Sequence, residues 1–484
     1  MSNHCRGLDC LSRGWHEECG VFGVYAPDED VARIAFFGLF SLQHRGQESA
    51  GIVVGDGNSL NGHLDLGLAF QVFDEKIITS LKGFVGLGHV RYSTMGSNIR
   101  ANAQPMVGRH RSGPFAIAHN GNLLNAPALR RDLEALSVPF AGSSDTEVMC
   151  KLLETSRTET IEDALVELMH TVRGAYSLGI VTPDCLIAVR DPYGVRPLCM
   201  GRLNGDGWVI ASETCALSTI GAEFVREIQP GEMVVCDHNG MRAVQVRDSE
   251  RKACCIFEFI YFARPDSHIY GKGVYNARVR MGQMLAQQEV PDADLVVPIP
   301  ETGIPGAIGY AQASGIPFGE AFIKNRYIFR TFIAPDQRLR DLGVRMKLST
   351  LKESIAGRRL VVVDDSIVRG TTTEPEVGLL RAAGAREIHL RVCSPPISFP
   401  CFYGIDTSPQ SQLIAARMSV EEIREHLGAD TLVYQTMEGL IRAVGLPKSN
   451  FCTACFDNEY PIPVPEAFQM GKFDLERDHQ QVSE

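Results

Sequence analysis

Residues 360–372 read Leu-Val-Val-Val-Asp-Asp-Ser-Ile-Val-Arg-Gly-Thr-Thr, and this short string restricts the fold more than any other part of the chain. Val361, Val362 and Val363 predict a central strand of a parallel sheet, because a strand covered by helices on both sides is apolar on both faces. Ligands of such sheets bind beyond the carboxyl ends of the strands. Asp364 and Asp365 therefore emerge at a crevice, where carboxylates accept bonds from sugar hydroxyls or hold a hard cation near a polyphosphate. Ser366, Arg369, Gly370, Thr371 and Thr372 follow, offering hydroxyls and backbone N–H groups at the start of a helix, which is an anion site. Two aspartates alone would read as a solvated turn.

In its strand, loop and helix setting the string resembles the signature of type I phosphoribosyltransferases, which bind 5-phosphoribosyl 1-diphosphate (PRPP). The resemblance implies PRPP contacts from Asp364, Asp365, Ser366, Arg369, Gly370, Thr371 and Thr372, with Mg²⁺ held by Thr302, Asp364 and Asp365. Residues 294–303, Asp-Leu-Val-Val-Pro-Ile-Pro-Glu-Thr-Gly, repeat the same strand-then-polar-loop grammar. Between the two strings lies a basic stretch with Lys324, Arg326, Arg330, Arg338, Arg340, Arg345 and Lys347. A run of this kind defaults to a solvated face. The resemblance makes it a catalytic loop that closes as a lid, with Lys324, Arg330 and Lys347 as the phosphate contacts. One stretch departs from the pattern. Many relatives carry Ser and basic residues after Thr372, and this chain has Thr373-Glu374-Pro375-Glu376. Acids and Pro suit a first helical turn, so the departure bears on anion binding and not on the fold.

At 484 residues the chain calls for more than one core. Its composition, 44% hydrophobic and 22% charged, is that of a globular protein. A formal net charge of −11 argues against nucleic acid as a partner, and no apolar run long enough for a membrane span is present. The first residues lack the apolar centre of a secretory signal, so a cytoplasmic protein is expected. The 14 cysteines are then not presumed disulfides. Cys150, Cys185, Cys199 and Cys215 sit among apolar residues as small fillers.

Cys19 is different in its company. It precedes the strand-like run Gly20-Val21-Phe22-Gly23-Val24-Tyr25. Downstream come Gln43-His44-Arg45-Gly46-Gln47, then Gly88-His89-Val90-Arg91-Tyr92, then His119-Asn120-Gly121-Asn122, then Ser143-Ser144-Asp145-Thr146-Glu147. In this order the blocks resemble the glutamine amidotransferases whose N-terminal cysteine is the nucleophile. The resemblance implies that Cys19 attacks glutamine, that Asn120 and Gly121 stabilise the oxyanion, and that Arg91 and Asp145 bind the substrate carboxylate and ammonium. An N-terminal cysteine carries its own base in its α-amine. Here Cys19 follows residues 1–18, so these are expected to be a propeptide removed during maturation. The implied fold is a four-layer α/β/β/α sandwich of the N-terminal-nucleophile (Ntn) hydrolase type. Asp191-Pro192-Tyr193-Gly194-Val195-Arg196-Pro197-Leu198 is turn-rich and reads as structural.

The charged run Arg247-Asp248-Ser249-Glu250-Arg251-Lys252 marks the expected boundary. The expected organisation is a propeptide (1–18), a glutaminase domain (19–250), a doubly wound parallel-sheet phosphoribosyltransferase domain (251–460) and a tail (461–484) without periodic pattern.

Together the halves resemble the amidophosphoribosyltransferase family. Its reaction takes glutamine, PRPP and water to 5-phosphoribosylamine, glutamate and diphosphate, the first committed step of de novo purine biosynthesis. The resemblance to an iron–sulfur subgroup implies a [4Fe–4S] cluster on Cys255, Cys401, Cys452 and Cys455, ahead of zinc. Spacing does not separate Cys255 from Cys254, and Cys393 competes with Cys401. A homo-oligomer, commonly a tetramer, and feedback inhibition by purine nucleotides are also implied. The rival reading is a PRPP-sensing regulator built on the phosphoribosyltransferase fold alone; the complete glutaminase set opposes it.

Overall fold

The computed structural model describes residues 19–92, 96–249, 251–325, 348–405 and 409–465. Segment 1–18, Arg330, Lys347 and the chain beyond residue 465 lie outside the described residues.

The first unit is built on two stacked sheets. One has seven strands in the order Glu223–Glu227, Cys199–Leu203, Gly207–Ala211, Gly20–Tyr25, Val85–Arg91, Ser49–Gly55 and Leu60–Leu66. The other has six, in the order Gly240–Gln245, Glu232–Asp237, Leu186–Arg190, Gly174–Val181, Gly113–Leu123 and Met106–His110. Alternate strand residues divide between layers, as the period of two requires. Val21, Val53, Leu87, Ala116, Ala118, Ala188 and Ile210 fill the space between the sheets. Phe22, Val24, Ile52 and Val90 face outward under the helix Val31–Ser41, and Phe115, Ile117, Leu178 and Ile180 face the helices Asp145–Thr155 and Ile161–Thr171. The result is the expected α/β/β/α sandwich.

The second unit centres on four parallel strands, in the order Leu295–Pro298, Arg359–Asp364, Glu387–Val392 and Thr431–Tyr434. Val361 and Val363 pack toward the helices Val274–Gln288 and Ile304–Ser314, while Leu360 and Val362 pack toward Thr373–Ala382 and Val420–Leu427. Both faces of the central strand are therefore covered, as its all-apolar sequence requires. Strand Phe322–Lys324 pairs with Leu348–Thr350, forming an antiparallel stem on either side of the basic stretch.

The two units share a core. Leu124, Ala175 and Val195 of the first pack in one cluster with Ala253 to Ala263 of the second, and the Ala253 and Cys255 amides donate to the Tyr193 and Val195 carbonyls. The turn-rich segment is structural as expected. The buried Asp191 carboxylate accepts the N–H groups of Tyr176, Tyr193 and Val195, and burial pushes its pKa up to about 6. The tail expected from residue 461 without periodic pattern begins on an anchored stretch in its described part. Tyr460 donates its hydroxyl to the Pro400 carbonyl at 2.7 Å, and the Tyr403 hydroxyl bonds both the carbonyl and the amide of Ile462. Tyr rings with reachable partners hold the chain to Pro400 and Tyr403 where hydropathy gives no signal.

Candidate active sites and a cysteine cluster

Cys19 lies one residue before its strand, 8% exposed. Its thiol donates to the Tyr92 carbonyl at 3.3 Å, and its own carbonyl accepts from Arg45 Nε at 3.2 Å. Burial pushes the thiol up to about 11, opposed by the Arg91 charge and reinforced by Asp145 and Glu48. The structure thus brings Cys19, Arg91 and Asp145 into one electrostatic neighbourhood. Arg91 ends the strand Val85–Arg91, with Nη1 3.4 Å from the Ser97 carbonyl. Asp145 opens the helix Asp145–Thr155, where Ser144 caps the N-terminus by accepting the Glu147 amide. Asp145 Oδ2 accepts the Leu123 N–H at 3.1 Å, and Oδ1 lies 3.5 Å from His119 Nδ1. Burial would raise this carboxyl, yet His119 and backbone donors hold it below the usual range.

Asn120 and Gly121 sit in the strand Gly113–Leu123. Asn120 is 1% exposed, and its Nδ2 has no hydrogen-bond partner among the described residues. A buried amide donor left unpaired is costly, so this one suits an acceptor that arrives with a ligand. Gly121 has φ +146°, and a Cβ on it would lie 2.1 Å from the Ala175 carbonyl oxygen, so only glycine fits.

In the second unit the strand Arg359–Asp364 ends as predicted at the two acids. The crevice beyond it is lined by Asp364, Asp365, Ser366, Arg369, Gly370, Thr371 and Thr372, together with Tyr261 and Glu376. Asp364 Oδ1 accepts the Asp365 N–H at 2.9 Å, Asp365 Oδ1 accepts the Ser366 hydroxyl, and Asp365 Oδ2 accepts the Thr302 hydroxyl. Thr302 thereby joins the acids from the turn after the neighbouring strand. Arg369 Nε is buried without a partner among the described residues. Lys324 is exposed and paired with Glu301, the residue before Thr302, at 3.3 Å. Oxygen donors beside an unpaired guanidinium suit a Mg²⁺-bound phosphorylated sugar.

Cys255, Cys401, Cys452 and Cys455 gather from three segments. Cys255 pairs with Cys452 in a short parallel bridge, Cys401 bears electrostatically on Cys255 and Cys452, and all three bear on Cys455. Burial pushes Cys255 up to about 12, and Cys452 and Cys455 higher. The Tyr403 N–H donates to Cys401 Sγ at 3.4 Å. Cys254 lies instead among Arg190, Glu227 and Glu258, and Cys393 beside Asp364 and Asp365. Among the described residues no three His, Cys, Asp or Glu side chains are drawn together as tightly as around a bound ion. The donor set itself, four thiols with a backbone N–H on one sulfur, is the kind that suits an iron–sulfur cluster.

Sequence reasoning missed a buried charge cluster. Arg45 bonds Glu213 Oε1 at 2.6 Å and both oxygens of Glu258 at 3.0 and 2.8 Å, with Arg196 at 3.8 Å from Glu258. The signal was a lone acid inside the apolar run Cys254-Cys255-Ile256-Phe257-Glu258-Phe259-Ile260, since a charge so placed needs a buried partner.

Comparison with known proteins fits this geometry. A family model described as a glutamine amidotransferase domain matches residues 89–219. The chain is 49% identical to the amidophosphoribosyltransferase of Synechococcus elongatus, across 95% of its own length and 94% of that protein's. It is 47% identical to the one of Bacillus subtilis across 93% and 96%. A solved structure, the Bacillus subtilis glutamine PRPP amidotransferase complexed with ADP and GMP, superposes with a TM-score of 0.88 at 46% identity, covering 93% of this chain and 98% of that one.

Proposed function

The chain belongs to the amidophosphoribosyltransferase family, and on that premise we propose how its two sites divide the reaction of glutamine, PRPP and water to 5-phosphoribosylamine, glutamate and diphosphate. The observation that carries this reading is the convergence of Arg91 and Asp145 on the buried Cys19 thiol. With its thiol raised to about 11, Cys19 is not ionised by its surroundings at neutral pH, so it needs a base. Removal of residues 1–18 supplies one, because the new α-amine has a pKa near ~8 and sits on the same residue.

The amine takes the thiol proton, and the sulfur attacks the glutamine carboxamide carbon. Asn120 Nδ2 and the Gly121 N–H hold the oxyanion, while Arg91 and Asp145 hold the carboxylate and ammonium of the substrate. Collapse of the tetrahedral adduct passes the proton to the departing nitrogen, and ammonia leaves. Water then cleaves the thioester to glutamate and restores the thiol.

Ammonia forms a bond to C1 of the ribose as the bond from C1 to diphosphate breaks. Asp364 and Asp365 hold ribose hydroxyls, and Arg369 and Lys324 face the phosphate charge. Arg330 and Lys347, outside the described residues, are proposed to do the same. Thr302, Asp364 and Asp365 would hold Mg²⁺, which neutralises the leaving diphosphate when bound. Cys255, Cys401, Cys452 and Cys455 would hold a [4Fe–4S] cluster that cross-links their three segments. Because most ammonia is protonated in neutral water, transfer within a closed passage favours the reaction. The ADP and GMP in the related structure support purine nucleotides as regulators here. A cytoplasmic homo-oligomer is the proposed working form. Among the described residues no helix is long and apolar enough to cross a membrane.

Replacement Cys19→Ser tests the division. It should abolish glutamine-dependent diphosphate release and spare the ammonia-dependent reaction; loss of both, or of neither, overturns it.

A further inference from the structure

Three consecutive residues of the second unit, in the loop just after Cys401, touch the first: Phe402 and Gly404 meet the strand that carries Asn120 and Gly121, and Tyr403 meets Arg196 of the turn-rich segment. The Phe402 carbonyl accepts Asn122 Nδ2 at 2.9 Å, across a separation of 280 residues. The Tyr403 carbonyl accepts both Nε and Nη2 of Arg196, at 3.0 and 2.9 Å. Gly404, at φ +112°, lies backbone to backbone on Gly121. A Cβ on Gly404 would stand 2.9 Å from the Gly121 carbonyl carbon, 3.0 Å from its Cα and 3.1 Å from its oxygen.

Gly121 is confined from another side as well, since its own missing Cβ would meet the Ala175 carbonyl. It is held between the neighbouring strand and the loop from the second unit. Next to it stands the unpaired Asn120 Nδ2. Strand pairing with Tyr176 places Gly121 in the first unit's sheet, and the loop of the second unit closes on its other side.

We propose that Gly404 is a positioning residue of the glutamine site: its bare Cα lets the loop 401–404 set where the Gly121 N–H stands. The inference rests on the reading of Asn120 and Gly121 as oxyanion donors. A methyl group at residue 404 must displace the Gly121 backbone by tenths of an ångström to reach ordinary contact. An oxyanion donor acts on the transition state and far less on bound glutamine, so the displacement lowers kcat and leaves KM nearly unchanged.

The test compares Gly404→Ala with Gly428→Ala in the full-length protein. Gly428 also has positive φ, +71°, at a helix end where a Cβ meets nothing within 4 Å, so it reproduces the backbone strain without the contact. Gly404→Ala should lower kcat for glutamine about tenfold or more, below the ~10²–10³ of losing a donor outright. The glutamine KM should stay within about threefold and ammonia-dependent diphosphate release within about twofold, and Gly428→Ala should change neither. Retention of glutamine kcat within about twofold, or a parallel fall in the ammonia reaction, overturns the proposal. Asn122→Ala, which removes the Phe402 bond and leaves both glycines, should lower the same kcat about threefold or more and decides the matter if Gly404→Ala does not fold. Asn120→Ala separates the two layers of argument: if it keeps full glutamine kcat, the oxyanion reading itself has failed, whereas a fall with Gly404→Ala unaffected removes only the role of Gly404.

Discussion

Arg45 and Glu258 meet across the two units with both side chains fully buried, and the same guanidinium holds the Cys19 carbonyl. A charge without water must be matched by a charge, and here the guanidinium that holds the first unit's Cys19 segment is matched by an acid in the second. Burial works against the Arg45 charge, and Glu258 and Glu213 more than reverse it. Glu258→Ala leaves part of that charge unmatched. It should destabilise the fold by about 3–5 kcal/mol, the usual cost of breaking a buried pair, read as a lower urea midpoint. A midpoint equal to the parent's would show that Glu213 alone suffices.

The raised Cys19 thiol gives a kinetic signature of maturation. In a chain that still carries residues 1–18, inactivation by an electrophilic glutamine analogue should be slow at neutral pH and climb steadily as pH rises toward about 11. In a chain beginning at Cys19 the rate should level off near ~8, where the α-amine becomes free to take the proton. Matching profiles for the two forms would refute the role of the amine.

Asp191 predicts a stability slope with a definite sign. Its folded value is about 6 against 3.8 for the free side chain. Between those values the folded chain holds a proton that the unfolded chain has lost, so this group's contribution falls as pH rises from 3.8 to about 6 and is flat above. Glu213, held below the usual range despite its burial by His44 and Arg45, acts in the opposite sense at lower pH, so the informative quantity is a difference. Subtracting the pH profile of Asp191→Asn from that of the parent should isolate a slope on the order of 2–3 kcal/mol across this window; a flat difference would mean that the carboxyl titrates normally.

Iron content distinguishes the two adjacent cysteines. Cys255→Ser should lower iron and sulfide in protein purified without oxygen, because its thiol lies with those of Cys401, Cys452 and Cys455. Cys254→Ser should leave them unchanged, since that side chain lies among Arg190, Glu227 and Glu258. Equal losses in both, or iron-free parent protein, would remove the cluster from the account.

Much of this was legible in sequence because it is local. The Val361–Val363 run gave its own strand and both packing faces, and the acids at its end gave the crevice, since a strand's direction and its loop are set within a dozen residues. The Asn120 block drew attention to Asn120 and Gly121, a buried unpaired amide beside a glycine that no other residue could replace. Pairing over long separations was not legible. Nothing in the period of residues 251–263 says that Glu258 answers Arg45, and nothing near Gly404 announces Gly121. The docked Tyr460 and Ile462 escaped for a related reason, as their hold comes from the hydroxyls of Tyr460 and Tyr403 and one buried Ile462, and not from an apolar repeat.

The common core of Leu124, Ala175 and Val195 with Ala253 to Ala263 limits how this chain can be dismantled. Scission at the charged run near residue 250 would strip apolar cover from both pieces at once. A glutaminase fragment made alone would be a sticky half-molecule, and a transplanted second unit would need a replacement for Val195 and its neighbours. The two chemistries are thus inherited as one indivisible object, although each could be named from its own motifs.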